Sequence, residues 1–361
     1  MKHIVLFLLF AQIAYAQKPG GIAFKTSPLA SVFQEARRTG QPVFVEVYSP
    51  TCHVCESFIP TLNDARVGKF YNSKFVSTRA DINLPSTRAF LDSRQLFVPS
   101  LPLFLYFDPQ QNLVHFAMSN NSTDEVIRHG TNALNPQTRS QTMKLRYQQG
   151  ERSGNFLIDY AMFGRVTKDT VANMAAMNDY AKQQSAATFA NQTNWLALQK
   201  LVLDYENPMF QYMLGHLDQY RKAYGAEPVK NVAENILMSS LYSGRGAKYP
   251  INKILEIRQG LAKLGIDSKV AANRTLLPEV NAYFRAGQTA KAVERMDGQV
   301  NSNQLTAPEY IYISRLFNRN SPDASDVPTV TKWINKGLAL NPSPKEQADL
   351  RAELATANKR K

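Results

Sequence analysis

The sequence predicts an α/β domain followed by an all-α domain of helical hairpins. Three observations carry this. Between residues 22 and 135, short β-rich runs alternate with segments of helical spacing. After Asn135-Pro136 the strand signals almost vanish, and amphipathic helical segments follow one another. The length of 361 residues suggests two domains at about 150 residues each.

The first residues read as an address. Met1, Lys2 and His3 form a short positive head, Ile4 to Ala11 is apolar, and Ala14-Tyr15-Ala16 has the form of a cleavage site. Residues 1–16 are therefore expected to be a secretory signal peptide. No later run reaches the ~18 apolar residues that a spanning helix needs. Localisation is expected to be periplasmic or secreted, according to the host.

The α/β domain is expected over residues 22–135. Leu29 to Thr39 has helical spacing, with Leu29, Val32, Phe33 and Ala36 on one face and Thr39-Gly40-Gln41-Pro42 as a stop. Val43 to Tyr48 is a strand with one acid, Glu46, inside it. Ser49-Pro50-Thr51 turns, and from Cys52 the pattern is helical again through Cys55, Phe58, Ile59 and Leu62. Phe75 to Ala80 is a second strand and Ser86 to Gln95 a helix. Pro102 to Phe107 pairs with Leu113 to Ala117 across Asp108–Asn112, and Thr123 to Ala133 closes the domain as a helix.

The all-α domain is expected over residues 140–361. One helix is marked by Trp195, Leu198, Leu201, Val202 and Tyr205. A second is marked by Phe210, Met213, Leu214, Leu217 and Tyr220 after the breaker Asn207-Pro208. Tyr283 to Met296, Tyr310 to Phe317 and Trp333 to Leu340 continue the series. Phrases such as AYFRAGQTAKAVERM resemble tetratricopeptide repeats, without a consistent period of about 34 residues.

Composition narrows the chemistry. Two cysteines exclude a disulfide-dense scaffold. The net charge of +13 falls to +12 without the leader, since Lys2 goes with it. The basic residues are spread out apart from Lys359-Arg360-Lys361, and no nucleic-acid motif is present, so no nucleic-acid partner is expected. The charge serves solubility or a weak attraction to anionic surfaces, at most a peripheral membrane contact.

The two cysteines form Cys52-His53-Val54-Cys55. The strand before and the helix after place Cys52 at a helix N-terminus, where main-chain N–H groups favour a thiolate. His53, when protonated, would act in the same direction. Cys55 lies one turn further in and can attack a mixed disulfide at Cys52, which is the minimal equipment for thiol–disulfide exchange. Two other readings use the same residues. A zinc site needs four ligands, yet there is no second C-x-x-C, and His3, His115, His129 and His216 are scattered. An inert bridge would close only a two-residue loop and stabilise little. No metal and no cofactor is expected.

The surroundings of the pair resemble the thioredoxin family over roughly residues 25–135. Glu46 stands six residues before the first cysteine, at the place of that family's buried acid. Tyr48 stands four before it, where tryptophan is usual. Pro60 follows Cys55 after four residues, Arg79 precedes Asp81, and Leu101-Pro102-Leu103 opens the third strand. The sequence departs from the family at Thr51, at the His-Val dipeptide, at Glu56 and at Leu103. The resemblance implies a thioredoxin-like fold with a cis Leu101–Pro102 peptide facing the cysteines. It implies that Cys52 attacks, that Cys55 resolves, and that Glu46, its pKa raised by burial, accepts the Cys55 proton. Glu46 has an alternative role as a mere ion-pair partner of Arg79. Pro102 lacks an N–H, which leaves neighbouring backbone open to an extended substrate. Tyr48, Leu101 and His53 are the expected substrate contacts, with His53 alternatively a plain exposed helix residue.

The expected function is an exported thiol–disulfide oxidoreductase acting on protein disulfides and cysteines, served by a redox partner protein. The helical domain would bind a partner or shape the substrate groove. The alternative is a non-catalytic scaffold, in which the aromatic-rich helices from Trp195 to Tyr224 are the working surface.

Overall fold

The computed structural model describes residues 20–360, and the expected leader lies outside the described residues. Helix α1, Leu29–Thr39, buries Val32, Phe33 and Ala36 and ends at Gly40, whose φ of 71° suits glycine. Strand β1, Val43–Tyr48, is buried except at Tyr48. Two short helices follow, α2 at His53–Ser57 and α3 at Ile59–Leu62. The expected continuous helix is thus split at Phe58, because Pro60 in the first turn of α3 donates no hydrogen bond back. Ile59, placed on the buried face by the sequence pattern, is exposed. Helix α4, Ala65–Lys74, has no counterpart among the sequence expectations. Asp64 caps it by accepting from the N–H groups of Arg66 and Val67.

Strand β2 is Val76–Asp81, α5 is Pro85–Ser93, β3 is Leu103–Phe107, β4 is Leu113–Ala117 and α6 is Thr123–Leu134. The four strands form one mixed sheet in the order β2-β1-β3-β4. β1 runs parallel to β2 and antiparallel to β3, and β3 pairs antiparallel with β4. Side chains alternate along a strand, so Phe44, Glu46 and Tyr48 share one face of β1. On that face Phe44, Phe58, Tyr71, Phe104 and Tyr106 form an apolar cluster under α3, α4 and α6. The Tyr71 and Tyr106 hydroxyls meet at 2.8 Å, and Tyr71 also donates to the Val126 carbonyl at 2.7 Å, so both buried phenols are satisfied. On the opposite face Phe33 packs edge-on against Phe107 at 5.4 Å.

Two compact units divide at Ala172–Asn173, later than the expected change of character at residues 135–140. Helices α7, Met143–Gln148, and α8, Gly154–Val166, belong to the first unit. The reason is the edge strand. Phe116 on β4 stacks on Phe163 at 5.8 Å, His115 bonds Ser140, and the Phe97 N–H donates to the Val166 carbonyl at 2.8 Å. These segments cover apolar surface that β4 would otherwise expose.

Helix α9, Thr170–Lys182, spans the division. The second unit continues with α10 (Gln192–Lys200), α11 (Pro208–Gly215), α12 (Leu217–Tyr224), α13 (Ala226–Leu241) and α14 (Ile251–Lys263). It closes with α15 (Ser268–Arg285), α16 (Thr289–Ser302), α17 (Ala307–Asn320), α18 (Val327–Leu338) and α19 (Pro344–Asn358). Phe284, Met296, Phe317, Trp333 and Leu350 meet in its core. Three expected helices break differently. The Trp195 helix ends at Lys200, and Tyr205 lies beyond it in a loop. The Phe210–Tyr220 segment is two helices that break at His216. Tyr283 to Met296 is a hairpin, turned at Gly287 with φ 65°. Among the described residues no helix is long and apolar enough to cross a membrane.

Gly68 on α4 lies against the chain at Gly20 and Gly21, where an added Cβ would come inside 3.0 Å of backbone atoms. Alanine is the better helix former by about 1 kcal/mol. Overpacking typically costs about 1–3 kcal/mol and here meets backbone rather than a flexible side chain. An added Cβ would fall 1.8 Å from the Gly20 carbonyl oxygen, at the severe end of that range, so Gly68→Ala is expected to destabilise the first unit by roughly 2 kcal/mol after the helix-propensity gain. Urea unfolding measures this, and an unchanged or raised midpoint would show that the lead-in chain is not seated on α4.

Candidate redox site

The site is built where β1 ends. Beyond Tyr48 the chain turns through Ser49, whose carbonyl accepts from the Cys52 N–H at 3.1 Å. The Ser49 hydroxyl accepts from the Thr51 N–H at 3.3 Å and from Asn83 Nδ2 at 3.1 Å. This fixes the turn from both sides. Cys52 then adopts an extended conformation as the N-cap of α2, and the Cys55 N–H donates to its sulfur at 3.1 Å. Cys52 is half-buried, Cys55 is buried, and both are free thiols. Burial pushes the Cys55 thiol up to about 11, helped by its hydrogen bond with Cys52 and by the negative charges of Cys52 and Glu46, and opposed by a main-chain bond from Ser49.

The far end of this short helical segment is also held. Asn121, in the loop between β4 and α6, donates from Nδ2 to the Ser57 carbonyl at 3.2 Å, and its own carbonyl accepts from the Thr61 hydroxyl.

Glu46 is fully buried on β1. Its register partner on β2 is Arg79, which donates from Nε to Oε2 at 2.8 Å and from Nη2 to Oε1 at 3.4 Å. Burial raises the Glu46 pKa above its ordinary 4.5, while the charge and hydrogen bonds of Arg79 pull it down. The Arg79 guanidinium in turn lies 4.0 Å from the centroid of the Tyr48 ring and 5.7 Å from that of Phe24. Tyr48 thus covers the ion pair.

The Leu101–Pro102 peptide is cis. Val47 pairs with Leu103, so Pro102 follows in register beside Tyr48 at the same end of β1 from which the chain turns to Cys52. Pro102 is buried and Leu101 is half-buried. His53 stands apart: its side chain is 98% exposed, with Nδ1 3.8 Å from Glu56 Oε2, a solvated pair of little energetic weight. Val54 is an exposed apolar side chain between the cysteines.

The fold therefore brings Cys52, Cys55, Glu46, Tyr48, Leu101 and Pro102 to one end of the sheet and leaves His53 in solvent. Phe24 and Asn121 are structural contributors that the sequence reading missed, and Ser49 was read only as part of a turn, without its hydrogen bonds. Ser49 had a signal, since Ser-Pro-Thr reads as a turn, whereas Asn121 lies 64 residues from its Ser57 contact and had none. Among the described residues, no cluster of three or more His, Cys, Asp or Glu side chains is gathered as a metal site.

Two outcomes follow from the titrations. At pH 7–8, iodoacetamide should modify Cys52 and spare Cys55, whose modification should rise only as the pH approaches about 11. Mass mapping of the alkylated peptides reads this, and equal labelling at pH 7 would contradict it. Glu46 has a folded pKa above its unfolded one, so ionising it disfavours the fold. Its stabilising contribution is full below about 4.5 and is lost as the pH rises through the raised value. Urea unfolding across pH should therefore fall less steeply in Glu46→Gln than in the native chain, and parallel curves would remove the argument.

No protein-family model and no curated protein matches the chain. Among solved structures, it is similar to the disulphide isomerase from Xylella fastidiosa Temecula1, at 12% identity and a TM-score of 0.22, over 30% of this chain and 86% of that one.

Proposed function

We propose that the protein is an exported thiol–disulfide oxidoreductase whose N-terminal unit is thioredoxin-like and whose redox pair is Cys52 and Cys55. The observation that carries this reading is the placement of Cys52 as the N-cap of α2, with Cys55 one turn inward and buried beside the charge of Glu46.

The mechanism follows from the difference between the two thiols. The Cys52 thiolate attacks one sulfur of a substrate disulfide and expels the other as a thiolate, leaving a mixed disulfide. Cys55 then loses its proton and attacks the Cys52 sulfur. The second substrate thiolate leaves, two electrons have passed to the substrate, and the enzyme holds a Cys52–Cys55 disulfide. Run backward, the same steps oxidise a substrate dithiol. A thiol with a pKa pushed up to about 11 needs a base when it attacks. Glu46 is that base in this reading, made more basic by burial, with Arg79 beside it holding the carboxylate form against that shift. The backbone at Leu101–Pro102 pairs with the extended substrate, with Tyr48 and Val54 beside it. Substrates are exported proteins with cysteines or disulfides, and a redox partner protein resets the pair. The leader at residues 1–16 supports export, and the helical unit docks a partner.

Cys52→Ser should abolish insulin reduction, and Cys55→Ser should accumulate mixed disulfides with substrate proteins. The reduction potential of the pair, titrated in defined thiol buffers, should fall between about −120 and −270 mV. Activity that survives Cys52→Ser would sink the mechanism. A potential well below about −300 mV would mark an inert bridge and favour the scaffold.

A further inference from the structure

Four segments meet at the cysteine site. The first is the cysteine turn with α2 and α3, residues 49–63. The second is the turn between β2 and α5, residues 81–85. It is tied to the first where the Ile82 N–H donates to the Tyr48 carbonyl at 2.9 Å and Asn83 Nδ2 donates to the Ser49 hydroxyl at 3.1 Å. The third is the chain through the cis Leu101–Pro102 peptide, residues 98–103. The fourth is the loop at residues 118–122, tied to α2 by Asn121. None of the four contains a lysine or an arginine. Two of them carry acids, Glu56 and Asp81, and the buried Glu46 stands behind on β1. On the adjoining strand Arg79 is committed to Glu46 by bonds of 2.8 and 3.4 Å. His53 is 98% exposed and faces Glu56 at 3.8 Å, so its charge, when present, is directed at that carboxylate and at water.

A thiolate at Cys52 therefore finds a single main-chain donor, the Cys55 N–H at 3.1 Å. Its own N–H is taken by the Ser49 carbonyl at 3.1 Å. Helix α2 has only five residues, and Glu56 in its first turn opposes the field of the helix end. A thiolate at Cys55 is worse placed, because burial and the charges of Glu46 and Cys52 push that thiol up to about 11. Cationic neighbours are what ordinarily hold a cysteine as thiolate. Thiolates exist only in the reduced pair, so a site that stabilises them makes the pair a strong oxidant. A site with three acids and one committed arginine does the reverse, and the disulfide becomes the preferred state.

We infer, on the basis of the redox reading above, that Cys52 and Cys55 work as a reductant of protein disulfides. The Cys52 sulfur bonds one substrate sulfur, and the other leaves as a thiolate and takes up a proton. Cys55 gives its proton to Glu46 and bonds the Cys52 sulfur. The mixed disulfide breaks, and the second substrate thiol leaves. Two electrons have passed to the substrate, and the pair rests as its disulfide. It acts again only after a protein dithiol reduces it by the same steps in reverse and becomes a disulfide itself. The partner that resets the pair is thus an electron-donating protein dithiol with a still more reducing pair.

The test equilibrates the reduced full chain with an oxidised protein disulfide isomerase. The mixture is quenched with acid, alkylated and read by mass. The equilibrium should favour the oxidised chain and the reduced isomerase by at least about tenfold. Glu56→Lys, at an exposed position, should move this constant about threefold toward the reduced chain at low salt, and by less at high salt. A constant below about tenfold overturns the direction. A constant unmoved by Glu56→Lys at low salt overturns its electrostatic cause, and with it the inference. A folded chain whose pair exchanges neither with the isomerase nor with dithiothreitol overturns the redox reading itself, and the direction falls with it. Exchange that settles on the wrong side overturns the direction alone.

Discussion

A single buried carboxylate sets the terms for the first unit. β1 is otherwise apolar and lies inside the sheet, so Glu46 loses its water on folding. An uncompensated charge there would be prohibitive. The compensation comes from the strand register, which sets Arg79 directly opposite. A slip of one residue would turn Arg79 to the other face and strand the charge. Arg79 is itself only half-buried, and its guanidinium is sheltered by Tyr48 and Phe24. The ion pair thus ties β1, β2 and the lead-in chain at the edge of the cysteine site. Pairing of this kind adds little net stability, and its value lies in fixing which arrangement forms.

Much of that unit was legible in the sequence because its signals are local. The β-rich run from Val43 to Tyr48, the stop at Gly40 and the turn at Asp108–Asn112 each mark an element without reference to the rest. The Cys52-His53-Val54-Cys55 spacing is local in the same way, since a helix turn sets the second thiol one turn inward from the first. What was not legible depends on distance along the chain. Helix α4 carries its cap at Asp64, yet its glycine at position 68 weakens the helical pattern and makes sense only against the backbone at Gly20–Gly21. The seating of α7 and α8 on β4 rests on contacts such as Phe116 with Phe163, which no periodicity announces.

The second unit shows a different failure of legibility. Apolar spacing correctly marks its helical character but not where one helix stops. Tyr205 continues the apolar series from Trp195 in sequence, while the backbone leaves the helix at Leu201 and passes through a polar knot in which Asp204 binds Arg245 and Asn207 binds Asn178. Buried polar groups of this sort end helices by offering the backbone other partners. Within the same unit Glu279, 1% exposed, is gripped by Arg258 and Arg295, a second buried carboxylate on which helices converge.

The short loop between β4 and α6 bears on how this chain tolerates change. A five-residue helix such as α2 lacks the length to be stable by itself. It is held at one end by Ser49 and near its other end by Asn121, so the surface loop at residues 118–122 acts as an outside brace for the cysteine turn. Surface loops are ordinarily where evolution and engineers place insertions, tags and fused partners. Here an insertion would loosen the thiols from behind, and the apparently neutral stretch is among the least permissive sites in the unit.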